Sequence, residues 1–457
     1  MDDIVYIKSL VENARKALIE FEPFDQKTVD YMVRDIAKFV FDNAEMLAEM
    51  AHTESRMGSK EYKTLKNRGK ARIMWASLRG KKSMGIISDD EESGIIEIAK
   101  PVGVVGAVQP CTNPIVTPMA NVMNAIKCKN PIILAAHPRS VGCTNYLVKN
   151  WNSLLEAYGA PKNLIQFIED GSLERTTALM REVDVVVATG GPGMVKSAYS
   201  GGKPSYGVGP GNVQVIVDRD VDIKETVHKI IDGRIFDNGI ICAGEQTMIL
   251  PEEHYAAAIK EVQAYGGYLV EKEEERSTLL ELLFPEGKLN KYMVGQTVQD
   301  IAAAAGISMP LDTKVIVMPE DNANKTSPLR KEKMFPVITP FSYTDFSEAI
   351  DIAIENLSIE GKGHTVAVHS NNPDHIKEVG LRCPVSRVVV NQPSATTAGG
   401  SFVNGLNPTS TLGCGSWGNN SISENFYYKH LLNITRIARV KKNSSEPDDD
   451  DLWNGDL

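Results

Sequence analysis

From Val29 to Met57 the apolar residues recur at helical spacing (Met32, Ile36, Phe39, Val40, Met46, Leu47, Met50), which predicts an amphipathic helix with one face on a core. The segment GIISDDEESGIIEIAK (85–100) sets two short β-branched runs around an acidic centre, the pattern of a hairpin whose acids face water. After Pro101 apolar runs alternate with helical stretches: VGVVGAVQP, PMANVMNAIKCK, PIILAAHP, a helix through Asn145–Tyr158, LIQFIE, another helix, then VDVVVATGG. Repeated strand, helix, strand predicts a parallel, doubly wound sheet, whose ligands sit at the carboxyl ends of the strands. QPCTNP (109–114), HPRS (137–140) and ATGGPGM (188–194) all fall at such ends and form the candidate cofactor mouth.

A second alternating series begins near Gly239 with CAGEQTMIL. It runs through helices near 254–265 and 297–305 to KVIVMPE, HTVAVHS and SRVVVNQP, and reads as another α/β domain. The glycine-rich SYGVGPGNVQVIV (205–217) and the FDNG turn (236–239) lie between the two series as the expected hinge. The expected division is residues 1–237 for the N-terminal helices and candidate cofactor domain, and 238–417 for the second α/β domain, which holds Cys242. Residues 418–440 then pack back on the body or an oligomer interface, and 441–457 form a disordered acidic tail. The fold class is α/β, two doubly wound parallel-sheet domains with a catalytic cleft between them.

A chain of 457 residues has ample length for this. Lys and Arg number 49 against 59 Asp and Glu, a net charge of −10, so there is no basic footprint for nucleic acid. No apolar run approaches the roughly 20 residues that span a bilayer, and MDDIVYIKSLVENARKAL reads as an acidic helix and not a signal sequence, so no membrane contact and a cytoplasmic location are expected. The six cysteines are scattered without CxxC or paired Cys/His spacing, which argues against both a metal site and a disulfide framework.

One cysteine stands where chemistry is feasible. Cys242 in NGIICAGEQT follows an apolar pair and precedes a small-residue turn, which would present a thiol beside backbone N–H groups; the residues equally allow a cysteine that only fills space. Asn113 in TNP, after the first parallel strand, can aim its amide at an oxygen that becomes negative, and with the Cys242 N–H would make an oxyanion hole. The alternative is an Asn-Pro turn that merely ends a strand. Glu332 in EKMFP either holds a ribose hydroxyl or faces water.

The ordered set TNP, HPRS, TGGPGMVKSAYSGGKPSYGVGPGN, FDNGIICAGEQ, EKMFP, GHTVAVHS and TLGCGSWGNNSISEN resembles the aldehyde dehydrogenase superfamily, in its CoA-acylating branch, over most of residues 100–440. The resemblance implies that Cys242 is the catalytic thiol, Asn113 the oxyanion donor and His364 a group that takes the proton of CoA or stabilises the departing thiolate; as a lone histidine before a strand, His364 equally allows a structural role. The resemblance also implies that NAD or NADP is bound by Thr112, by His137, Pro138, Arg139 and Ser140, by Thr189, Gly190, Gly191 and Met194, by Gly207, Val208 and Gly209, and by Glu332 and Phe335. As the HPRS loop offers Arg139 and Ser140 where strict NAD use would call for an acid, both cofactors are admitted.

Hydrolytic members carry a glutamate in a motif like ELGGKN. Here GVGPGN puts Gly207 at that place, so a CoA thiol and not water is expected to release the acyl group. The implied substrates are CoA and a short aldehyde such as acetaldehyde, propanal or sulfoacetaldehyde, and the implied assembly is a homodimer or higher homo-oligomer. The uncharged, hydroxyl-rich loop 393–413 either holds a small anionic head or supports its own turns. Cys414 is read as a packed loop position and Cys111 as a pocket neighbour. Two alternatives stand beside this reading: a hydrolytic enzyme with a base from elsewhere, and a catalytically silent scaffold of the same fold.

Overall fold

Polar caps cut the N-terminal region into α1 (Asp3–Phe21), α2 (Gln26–Asp42), α3 (Ala44–Ser55) and α4 (Lys60–Leu78) in the computed structural model, which describes residues 3–441, 444 and 446–454. The single helix expected over Val29–Met57 is two. Asn43 turns its side-chain amide back to the Phe39 carbonyl at 2.8 Å and stops α2, the local competition that makes asparagine a poor interior helix residue. Asp25 and Ser59 cap α2 and α4 by accepting the N–H groups of Thr28 and Tyr62. The hairpin forms from β1 (Gly85–Asp90) and β2 (Ile95–Pro101).

Five parallel strands follow with their helices: β3 (Val105–Val108), α5 (Val116–Lys127), β4 (Ile132–Ala135), α6 (Val141–Glu156), β5 (Ile165–Phe167), α7 (Leu173–Glu182), β6 (Val185–Thr189), α8 (Pro192–Tyr199) and β7 (Ser205–Val208). Their order is β5-β4-β3-β6-β7. Val105, Ile132 and Val187 pack on the α5–α6 side, and Val104, Ile133 and Val186 on the side of α1 and α7. Burial on both faces explains why these strands read as unbroken apolar runs.

A second parallel sheet contains β8 (Gln214–Val217), β9 (Thr247–Pro251), β10 (Gly267–Leu269), β11 (Val315–Val317), β12 (Val337–Tyr343), β13 (Gly363–His369) and β14 (Val385–Val390), in the order β10-β11-β12-β9-β8-β13-β14. Helix α9 (Ile223–Ile235) leads from β8 toward β9. The chain therefore passes from the first sheet to the second between Val208 and Gln214, ahead of the 237/238 division set out above. Val215, Ile216 and Val217 are fully buried, and a strand apolar on both faces belongs at a sheet's centre, here between β9 and β13.

Strand β15 (Leu432–Ala438) returns to pair antiparallel with β2. In the tail, where disorder was expected, Asp449–Asn454 is a short exposed helix whose three aspartates lie at its positive end. Residues 442, 443, 445 and 455–457 of that tail lie outside the described residues. No helix among the described residues is long and apolar enough to cross a membrane.

Candidate active site

The first sheet reverses its winding between β3 and β6, and such a switch point opens a crevice at the strands' carboxyl ends. Thr112 and Asn113 follow β3, the His137–Ser140 turn follows β4, and Thr189–Gly191 follow β6 into α8. A methyl group at Gly191 or Gly193 would meet nothing within 4 Å, so the start of α8 faces open space, and Met194 backs Gly190. Helix α6, which starts at the same edge, has its Gly142 and Cys143 N–H groups taken by the Glu54 carboxylate at 2.7 and 2.8 Å. An open helix start beside two glycines fits the pyrophosphate of a dinucleotide. Arg139, the residue read as admitting NADP, donates its guanidinium to the Ser55 carbonyl, and its N–H to His137 Nδ1.

Cys242 lies just ahead of β9 and faces a cavity of about 370 Å³ that Asn113 also lines. Loop 393–413 forms the far wall through Gly399, Ser401, Phe402, Thr409 and Ser410. The Cys242 N–H has no acceptor among the described residues. Gly211 is pressed on the thiol loop so closely that a Cβ would sit 1.7 Å from the Cys242 carbonyl oxygen, which ties the link between the two sheets to the thiol. Burial pushes the Cys242 thiol up to about 12, the Glu332 carboxylate adds to this, and the Arg387 guanidinium opposes it.

The other expected site residues divide. Glu332 accepts the Gly211 N–H at 3.2 Å and is pushed up to about 8 by burial and by Glu360, but it does not line the cavity. Gly207 and Val208 end β7, and the space a side chain at Gly207 would need is filled by Val195 and Tyr199. Gly209 directs its N–H toward Cys414, which is fully buried. His364 is fully buried, bonded through Nδ1 to Thr365 Oγ1 at 2.9 Å, and its Nε2 has no partner among the described residues. Burial and the nearby Arg387 hold it well below the usual histidine range, hence neutral. Phe335 is a core residue, its ring edge-on to Phe284, and presents no face to a ligand. Cys111 packs against the sulfur of Met57 and does not line the cavity.

Several residues of the site were not singled out from sequence. Helix α4 puts Lys66, Lys70 and Arg72 on the cavity wall, and no aspartate or glutamate among the described residues lines it. Lys66 bonds Asn113 and the buried Asp237, Lys70 bonds only the Gly399 and Thr409 carbonyls, and Arg72 lies 5.9 Å over the Phe402 ring. Lysines one helical turn apart read as a solvated face, and only the loop packed over them shows otherwise. Arg387, buried and bonded to Thr365, His364, Gly413 and Asn425, had a signal: a guanidinium within the apolar run SRVVV.

A thiol and a carboxamide on one cavity, a backbone N–H with no acceptor among the described residues, and a nearby crevice at the strands' carboxyl ends are compatible with a thiol-dependent aldehyde oxidoreductase. The chain belongs to the aldehyde dehydrogenase family, whose pattern matches residues 5–431. It is 47% identical over 453 residues, 99% of this chain and 100% of the relative, to a succinate-semialdehyde dehydrogenase (acetylating) of Clostridium kluyveri. A sulfoacetaldehyde dehydrogenase (acylating) of Cupriavidus necator is 36% identical over 451 residues, 98% of this chain and 91% of the relative. Among solved structures, an acetylating aldehyde dehydrogenase from Geobacillus thermoglucosidasius matches with a TM-score of 0.93 at 36% identity, covering 97% of this chain and 98% of that one. The fold is that of the acylating aldehyde dehydrogenases, and the protein is an oxidoreductase acting on aldehydes.

Proposed function

We propose that this protein converts a short aldehyde with an anionic tail into its acyl-CoA, reversibly, through a thioester on Cys242, with NAD or NADP and with CoA as co-substrate. The observation that carries the CoA requirement is the cavity lining: Cys242 and Asn113 belong to it, and no carboxylate among the described residues does.

The Cys242 thiol releases its proton to solvent as its sulfur adds to the aldehyde carbon, and the Asn113 Nδ2 and the Cys242 N–H donate to the oxygen that becomes negative. Bound NAD(P) supplies the hydride acceptor. Thr189, Gly190 and Gly191 with the start of α8 would hold its pyrophosphate, the His137–Ser140 turn the adenosine ribose, Glu332 the nicotinamide ribose, and Thr112, Gly207, Val208 and Gly209 the walls between. With no lining carboxylate to activate water, the thioester waits for a thiol, a far better nucleophile near neutral pH. His364 takes the CoA proton in this reading, which its neutral imidazole and unpartnered Nε2 support.

The anionic tail follows from Lys70 and Arg72, which line the cavity without a carboxylate partner among the described residues. The two relatives are named for aldehydes that carry a carboxylate or a sulfonate. A homodimer or higher oligomer in the cytoplasm belongs to the same reading. The oligomer is supported by the exposed β1 and β15 edges of the three-stranded sheet, where Ile86 and Ile437 are 56% and 45% exposed.

The test is absorbance of reduced nicotinamide with acetaldehyde, propanal, sulfoacetaldehyde and succinate semialdehyde, with NAD or NADP, each with and without CoA. The expected result is sustained turnover only with CoA, and without it a burst of about one equivalent per subunit. Equal steady rates without CoA would establish a hydrolytic enzyme, and silence throughout a scaffold.

Lys70→Met is expected to raise KM for an anionic aldehyde about tenfold or more, as loss of a charge-assisted hydrogen bond does, with propanal much less affected. Burial pushes Lys70 down to about 8. It is therefore charged below pH 8 and neutral above, so KM for the anionic aldehyde should climb above pH 8 while that for propanal stays level. Steady-state kinetics from pH 6.5 to about 9.5 checks both.

A further inference from the structure

Asn113 and Cys242 arrive from different sheets, and one polar cluster joins them. Lys66 Nζ donates to Asn113 Oδ1 at 2.7 Å and to Asp237 Oδ2 at 2.5 Å. An ammonium is donor only, so the end of the carboxamide facing it is the oxygen. The Nδ2 is thereby turned away from Lys66, and its acceptor within the protein is Thr112 Oγ1 at 3.5 Å, the outer limit of a hydrogen bond. The donor is fixed in direction and nearly free.

Asp237 anchors this arrangement. It is fully buried in the FDNG turn at φ 52°, accepts the Ser59 N–H at 2.9 Å, and is shared by Lys63 at 3.0 Å and Lys66. The turn once read as a hinge is thus pinned to α4 and, through Asn238 Nδ2, to the Gly295 carbonyl at 3.0 Å. Two buried ammoniums on one carboxylate leave a surplus positive charge against the Asn113 oxygen. A surplus of this kind is costly to bury and is characteristic of sites that use it.

We infer that Lys66 is a positioning residue of the oxyanion hole: it orients the Asn113 carboxamide and polarises it, so that Nδ2 donates more strongly to the negative oxygen formed at Cys242, with Asp237 as its anchor. This rests on the reading of Asn113 as the oxyanion donor. The charge on that oxygen develops on the way to the tetrahedral adduct, so the contribution falls on the rate of acylation and not on aldehyde binding.

The experiment is a double-mutant cycle on the full-length protein with Lys66→Met, Asn113→Ala and the pair. It reads single-turnover formation of reduced nicotinamide at saturating aldehyde and cofactor, with KM and thermal midpoint alongside. Lys66→Met leaves Asp237 paired with Lys63, and Lys66→Arg keeps both donor and charge. Asn113→Ala is expected to lower the rate about 100-fold or more, and Lys66→Met about 30-fold with KM within about threefold. In the Asn113→Ala background, Lys66→Met should add less than about threefold, because it acts through that side chain. Lys66→Arg should restore most of the rate.

Losses that multiply, a KM change in place of a rate change, or Lys66→Met within about threefold of the parent would each overturn the inference while leaving Asn113 as donor. An unchanged rate in Asn113→Ala would instead remove the donor reading and this inference with it. Should Lys66→Met lose its fold, Lys66→Gln, which keeps a donor without the charge, takes its place: a rate equal to the parent overturns polarisation.

Discussion

Replacing Cys242 by alanine or serine is expected to abolish formation of reduced nicotinamide, by about 10⁴-fold or more, in a protein that stays folded. No other side chain on the cavity can substitute. Thr396, Ser401, Thr409 and Ser410 offer hydroxyls, which are far weaker acids and poorer nucleophiles toward a carbonyl than a thiol. The nearby Cys414 is fully buried, with Gly363 so close that a Cβ there would lie 2.0 Å from the Cys414 carbonyl oxygen. Cys111 lies against Met57 and does not line the cavity. The fold should hold because Cys242 is only half-buried and lines the cavity, so the loss is about 1 kcal/mol or less. Incubation with an acyl-CoA followed by peptide mass analysis should find the acyl group on the Cys242 peptide of the parent and nowhere in the alanine variant. An alanine variant that still turned over would move the thiol's role elsewhere.

What the sequence made legible follows burial. Strands such as VVVAT and IILA are covered on both faces and stand out as apolar runs, and the loops after β3, β4 and β6 then fall at one edge by the rules of parallel winding. Strand β8 was hidden by the glycines of GVGPGN ahead of it, which read as a hinge. β15 was hidden because LNITRIA is mostly exposed and gains its identity only from its pairing with β2. At the candidate site, Cys242 and Asn113, which line one cavity, stand out in the sequence because the chemistry that marks them is local. Lys66, Lys70 and Asp237 do not, because a lysine on a helix and an aspartate in a turn are normally solvated. Their burial is created by segments distant in sequence. Phe335 shows the converse, a residue near a motif that packing consigns to the core.

In the proposed function Gly207 stands where a hydrolytic relative carries its base, and read from sequence Gly207→Glu gains little unless the new carboxylate can reach a water. The structure gives the physical reason. In the fold, a Cβ at this position would lie 2.8 Å from Val195 Cγ1 and 2.9 Å from Tyr199 Cε2. Tyr199 is not free to yield, since its hydroxyl receives the N–H groups of Gly207 at 2.7 Å and Ser421 at 3.2 Å, joining β7 to the returning C-terminal segment. A glutamate must therefore displace that ring, break both bonds and leave its carboxylate beside buried Val195. Overpacking and an unpaired buried acid together should cost about 4 kcal/mol or more. The expected outcome is a clearly lowered thermal midpoint and poor recovery of soluble protein, with no CoA-independent steady turnover. The companion Gly207→Glu/Tyr199→Ala removes the obstructing ring and makes room for the carboxylate. If this double variant turns over without CoA, the absence of a base at residue 207 was the sole barrier to hydrolysis. If it remains CoA-dependent, the thioester is also shielded by the direction of β7, which sends a side chain at 207 toward α8, while Gly211 further along the same link is the residue that meets the Cys242 loop.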